Sequence, residues 1–95
     1  MVIAYSLIKT ESGKDYRVLA LVKRQKEVEE VALTYGAFDL IAKIEVGSPE
    51  ALDTFIFDVL RKIPEVKETV TLITSRIELG AGNAKGANTP SLFLF

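Results

Sequence analysis

The sequence predicts an α+β domain of the ferredoxin-like kind, in the order βαββαβ, with a four-stranded antiparallel sheet and two helices on one of its faces. Three observations predict it. Four segments show strand patterning, and two segments between them read as helices. In addition, Glu27-Val28-Glu29-Glu30 after the first helix is echoed by Glu65-Val66-Lys67-Glu68 after the second, as two βαβ halves would give.

The segment from Val2 to Lys9 is apolar on both alternating faces, with Val2, Ala4 and Ile8 on one and Ile3, Tyr5 and Leu7 on the other. This is the signature of a central strand. Thr10-Glu11-Ser12-Gly13 is a turn cluster, and Ser12 is placed to cap a helix from about Gly13 or Lys14 to Gln25. Within it, Val18-Leu19-Ala20-Leu21-Val22 also fits a buried strand, and only the charged flanks and the length favour helix. From Val28 to Tyr35, Val31, Leu33 and Tyr35 alternate with Glu30, Ala32 and Thr34. Gly36 breaks the run, and Asp39 to Val46 alternates again, so Gly36-Ala37-Phe38 should connect a hairpin.

Ser48-Pro49-Glu50 supplies a capping hydroxyl, a proline for the first helical position and an acid near the positive end of the helix dipole. Leu52, Phe55, Ile56, Val59, Leu60 and Ile63 then form one apolar stripe, with Asp53, Asp58, Arg61 and Lys62 away from it, until Pro64 stops the helix. Val66 to Arg76 is the last strand, with Thr69, Thr71 and Ile73 on one side and Val66, Val70, Leu72 and Thr74 on the other. Residues 1–76 make the domain. Residues 77–95 are a Gly/Asn-rich extension ending in the apolar strand-like run Ser91-Leu92-Phe93-Leu94-Phe95.

A chain of 95 residues has room for one core, and a domain of that size buries only about 65% of the surface of its unfolded chain. Both crossovers put their helices on one face, so the apolar side chains of the other need a second layer, and another copy of the sheet is the simplest one. The net charge of −1, with both signs interspersed, gives no cationic field for a phosphate backbone. Nucleic acid is therefore not expected as a direct ligand. With no cysteine and no histidine, disulfides, thiolate nucleophiles, imidazole bases and imidazole metal ligands are excluded. No signal sequence or apolar run of membrane-spanning length is present, and a cytoplasmic location is expected.

Gly80-Ala81-Gly82-Asn83-Ala84-Lys85-Gly86 matches neither phosphate-loop spacing, and reads as a link. Glu27, Glu29 and Glu30 stand at a helix-to-strand junction, where a solvated turn is the plain reading. Tyr35-Gly36-Ala37-Phe38-Asp39-Leu40 has two readings. It is a hairpin in which aspartate bonds back to turn amides, or a site where N–H groups beside Gly36 hold a small carboxylate while Asp39 meets an ammonium group. Thr69, Thr71 and Thr74 are good strand residues and also hydroxyl donors for a polar ligand.

Val31-Ala32-Leu33-Thr34-Tyr35-Gly36-Ala37-Phe38-Asp39-Leu40-Ile41-Ala42-Lys43-Ile44, followed by Ile63-Pro64-Glu65-Val66-Lys67-Glu68-Thr69-Val70-Thr71-Leu72-Ile73, resembles the RAM domain, the ligand-sensing module of Lrp/AsnC transcription regulators. The resemblance covers about residues 1–76. It implies a ferredoxin-like subunit whose open sheet face packs on a second subunit as a dimeric α+β barrel, with dimers assembling into rings, commonly octamers. It also implies an amino acid bound between dimers, which carried over residue by residue points to Tyr35, Gly36 and Asp39, with Thr69, Thr71 and Thr74 as further contacts. Two departures stand against full transfer. The first strand begins at Val2, leaving no helix-turn-helix ahead of it, and Ala37-Phe38 replaces a more polar residue and a tyrosine often found in that turn.

The expected function is a stand-alone sensor that binds a small amino-acid-like effector without a cofactor or metal and without catalysis. Its candidate partners are further copies of itself and an Lrp-type regulator reached by mixed assembly. Two other readings stay open: a small dimeric α+β barrel enzyme of monooxygenase or isomerase type, with Tyr5 or Arg76 in the cavity between sheets, and a structural adaptor docking through Leu92 to Phe95.

Overall fold

The computed structural model describes residues 1–84 and contains β1 (Val2–Thr10), α1 (Asp15–Val22), β2 (Val28–Leu33), β3 (Leu40–Val46), α2 (Pro49–Asp58) and β4 (Val66–Ile73). Short 3₁₀ turns follow at Leu60–Lys62 and Ala81–Ala84. The expected apolar strand at Ser91–Phe95 lies outside the described residues. The strands form one antiparallel sheet in the order β2-β3-β1-β4, so β1 is interior, as its two apolar faces require. This is the ferredoxin-like arrangement.

Alternation along β1 and β3 sorts the side chains cleanly. Ala4 and Ile8 of β1 and Leu40, Ala42, Ile44 and Val46 of β3 are buried under the helices, where they meet Val18 and Val22 of α1 and Leu52, Phe55 and Ile56 of α2. Burying each such large aliphatic or aromatic side chain contributes about 1.5–3 kcal/mol, so this single layer carries most of the favourable free energy. Ser6 sits in the same row, completely buried between Ala4 and Ile8. Its hydroxyl bonds the Thr71 hydroxyl, directly opposite on β4, at 3.1 Å. That pairing offsets the cost of burying an unpartnered hydroxyl.

The segment at residues 18–22 is helical, but α1 is shorter than expected and Ser12 does not cap it. The backbone turns at Glu11–Lys14, closed by Lys14 N–H donating to Glu11 O at 3.0 Å, with Gly13 at φ 77°. Lys14 takes the cap position without a side-chain hydrogen bond. Glycine tolerates this left-handed backbone, and its use there separates Ser12 from the first helical amides. By contrast, Ser48 caps α2 as anticipated, its Oγ accepting from Ala51 N at 3.1 Å ahead of Pro49 at the start of the helix.

The apolar stripe of α2 continues to Ile63, yet the helix ends at Asp58 and tightens into the turn Leu60–Lys62. Ile63, ahead of Pro64, is extended, as the proline ring requires of its neighbour. β4 stops at Ile73 instead of Arg76 because its partner runs out: Thr74 still bonds Ile3, and β1 begins one residue earlier. Val66 also differs from the simple alternation. A register shift at Lys9/Thr10 returns it to the helix side, where it packs against the core.

Replacing the capping residue, Ser48→Ala, should lower stability by about 1 kcal/mol. Chemical denaturation should show this as a lower midpoint with an unchanged slope.

Candidate functional site

Two surfaces carry chemistry: the β2–β3 connection with its neighbours, and the sheet face away from the helices. The connection is not the tight hairpin expected. β2 ends at Leu33, and Thr34 closes a wider loop, its N–H donating to Asp39 O at 2.8 Å and its Oγ1 donating to Phe38 O at 2.8 Å. Inside the loop Gly36 takes φ 121°, a conformation that side-chain-bearing residues rarely adopt. Tyr35 leaves the sheet and is fully exposed.

Asp39 is tied inward. Its Oδ2 accepts from Thr10 N at 2.8 Å and from Thr10 Oγ1 at 3.2 Å, and its own N–H donates to Ile8 O at 2.9 Å. The carboxylate thus fastens the loop to the end of β1 through Thr10, and not to the amides of its own turn as the hairpin reading had it. No hydrogen bond engages Oδ1 among the described residues.

The threonines divide between the two sheet faces. Thr69 and Thr71 lie on the helix side and line a groove of about 290 Å³ with Asp53, Phe57, Arg61 and Ile73. The hydroxyl of Thr71 is engaged with Ser6, and that of Thr74 donates to Ile3 O at 2.8 Å. Tyr35, Gly36 and Asp39 come together in one loop, whereas the threonines lie on or beside β4, separated from β3 by β1. Within one chain the two groups do not converge.

The groove contains two residues that the sequence reading had not singled out as site residues. Phe57 is about half exposed, and the Arg61 guanidinium lies 5.2 Å from its ring centroid. An arginine one turn after an aromatic residue outside the apolar stripe was the available signal, since such a pair stacks on a helix surface.

The open face follows from the register. Ala32, Ile41, Leu7 and Val70 line up across all four strands. The next row is Glu30, Lys43, Tyr5 and Leu72. Val70 and Leu72 are exposed, at 37% and 56%. Partial burial, and secondarily the Glu30 carboxylate, push the Tyr5 phenol above its ordinary value. At the far end Glu45 is also pushed up, chiefly by a hydrogen bond with Glu29, which requires a shared proton. Arg76 pairs with Glu78 on the surface. Among the described residues no cluster of acidic side chains is arranged to hold a metal ion, and no helix is long and apolar enough to cross a membrane.

Comparison with known proteins agrees with this geometry. Residues 3–78 match the family model for the Lrp/AsnC ligand binding domain. The curated "HTH-type transcriptional regulator FL11" of Pyrococcus abyssi is 37% identical over 71 residues, 75% of this chain and 46% of that protein. The chain thus spans about half the length of the curated relatives it matches. A solved hypothetical protein, PHS023 from Pyrococcus horikoshii, is 38% identical with a TM-score of 0.76, over 82% of this chain and 93% of that one. E. coli AsnC is 29% identical with a TM-score of 0.77, over 83% of this chain and 54% of its own.

Two outcomes are expected. Asp39→Ala should lower stability by about 2 kcal/mol, because it removes two charge-assisted bonds to Thr10, and Thr10→Val should lower it by less, since the backbone bond survives. For Glu45, a raised folded value means that the folded state holds a proton the unfolded state has lost, so stability declines as pH rises from the unfolded carboxyl range through the folded value. Glu45→Gln should flatten that part of a pH–stability profile measured by thermal melting.

Proposed function

This chain belongs to the Lrp/AsnC ligand-binding domain family, and from that premise we propose that it is a stand-alone sensor that binds a small amino acid between subunits of an oligomer. The observation that carries this reading is the unbroken apolar row Ala32, Ile41, Leu7 and Val70, flanked by Tyr5 and Leu72, on a sheet face without helices. Pairing two such faces removes both from water, at about 25 cal/mol for each Å² of apolar surface. The stand-alone reading is supported by the match to PHS023 over nearly the whole of that chain.

Assembly of dimers into a ring would bring loops and strands of different dimers side by side. That is how Tyr35, Gly36 and Asp39 of one subunit would join Thr69, Thr71 or Thr74 of another, which they do not meet within a chain. The exposed loop N–H groups beside Gly36 suit a carboxylate, and Oδ1 of Asp39 suits an ammonium group while Oδ2 keeps its bonds to Thr10. An amino acid held in this way stabilises the assembled form, because it contacts two subunits at once. Its effect on transcription would pass through mixed assembly with a full-length regulator. With a net charge of −1, the sensor has no electrostatic attraction for the operator itself. It performs no catalysis.

Light scattering of the purified chain should give an even number of subunits, and Leu7→Asp should reduce the mass to that of one chain. In a thermal-shift panel of amino acids, one at a hundredfold excess over its dissociation constant should raise the midpoint by about 10 °C or more. A lone subunit indifferent to the whole panel would contradict the assignment. Tyr35→Ala tests the site itself: the response to the ligand should weaken while the melting point without ligand stays put, since this side chain is fully exposed.

A further inference from the structure

The two edges of the sheet are treated differently. β2 carries Glu29 and Glu30 and a register shift between Val28 and Glu30, both of which discourage pairing with another strand. On β4, the charges and the irregularity are confined to its beginning, at Lys67, Glu68 and opposite Lys9/Thr10. From Thr69 to Ile73 the edge has no charge, no proline and no bulge. Its outward backbone groups can be identified. Thr74 N–H donates to Ile3 O, and directly opposed residues in an antiparallel ladder alternate between exchanging both bonds and exchanging none. Leu72 and Val70 therefore bond β1, while Thr69, Thr71 and Ile73 point N–H and C=O away from the sheet.

The surroundings of this edge are apolar on both faces. Ile73 and Phe57 are exposed on the helix side, at 59% and 53%, and Leu72 and Val70 on the other. A strand added here needs apolar side chains in both directions. The sequence holds such a segment at Leu92-Phe93-Leu94-Phe95, where alternation puts the leucines on one face and the phenylalanines on the other. The stretch from Thr74 to Pro90, rich in glycine and asparagine, is long enough to double back along β4.

We propose that Ser91–Phe95 docks on β4 of its own chain as a fifth strand, antiparallel to it. Main-chain bonds to Thr69, Thr71 and Ile73 supply affinity, and the apolar residues flanking the edge select the tail's side chains. The tether favours the chain's own tail over a neighbour's, because a short connection within one chain gives an effective concentration on the order of millimolar. Docked in this way, the tail closes the only edge among the described strands that lacks its own protection.

Residue-resolved amide exchange on the 95-residue protein tests this. The amides of Thr69, Thr71 and Ile73 should exchange at least about tenfold more slowly than in Phe93→Pro, which removes a donor and an apolar contact, and this protection should not depend on protein concentration. Phe93→Ser, a milder change, should give part of the same loss. The Val70 and Leu72 amides, bonded to β1, should stay slow throughout. Three results would overturn the proposal. One is exchange of the three outward amides at exposed-backbone rates in the unaltered protein. Another is protection that survives Phe93→Pro or rises with concentration, which assigns the edge to a second copy. The third is equal loss at all five amides in both variants, which makes the tail a determinant of the whole fold and not of this edge.

Discussion

A single strand with two apolar faces governs this molecule. β1 runs through the middle of the sheet, with β3 on one side and β4 on the other, and its residues alternate between Ala4, Ser6 and Ile8 beneath the helices and Ile3, Tyr5 and Leu7 on the opposite face. The chain supplies α1 and α2 for one face only, because right-handed crossovers deliver both helices to the same side. Everything that distinguishes the surface follows from that asymmetry. One layer is finished within the subunit and the other is left bare of helices.

Polar side chains are used sparingly to hold the completed layer in register. Ser6 and Thr71 pair across β1 and β4 where the row is otherwise aliphatic, and Asp39 joins the β2–β3 loop to Thr10 at the end of β1. At the same end of that strand Arg17 and Glu65 form an ion pair at 2.9 Å, while Glu11 N–H donates to Glu65 O at 2.9 Å. Each contact links segments distant in sequence, so the loops around that end of β1 are positioned by the core and are not independent of it. Under the proposed reading, a loop fixed in this way would present Tyr35 and Gly36 to a ligand without a further ordering cost.

The sequence made the topology and the sorting of faces legible, because both follow from period and sign: every second residue of β3 is apolar and every one of those is buried. The α2 cap was legible for a similar reason, since Ser48-Pro49-Glu50 fixes hydroxyl, φ and charge within three adjacent positions. What could not be read were the places where one residue's role is decided by a distant partner. Ser12 looked like a cap until Gly13 turned the backbone away from it. Asp39 read either as a bond back to its own turn or as a ligand group, and Thr10, far off in the chain, claims one of its oxygens. Ser6 drew no attention because its partner, Thr71, lies on another strand. The Tyr35 and Gly36 loop was recognisable through its likeness to a family and not through its own physics, which by itself favours a plain connection.

The placement of the three tyrosines has a practical side. There is no tryptophan in the chain, so its near-ultraviolet signal comes from Tyr5, Tyr16 and Tyr35 together with the weaker phenylalanines. Tyr16 and Tyr35 are largely surrounded by solvent, while Tyr5 alone lies on the face that the helices leave bare. A change in tyrosine emission that accompanies closing of that face therefore reports one ring, and one that accompanies loop occupancy reports another. The molecule thus carries native optical probes on the bare sheet face and in the β2–β3 loop, where the two proposed events would be told apart.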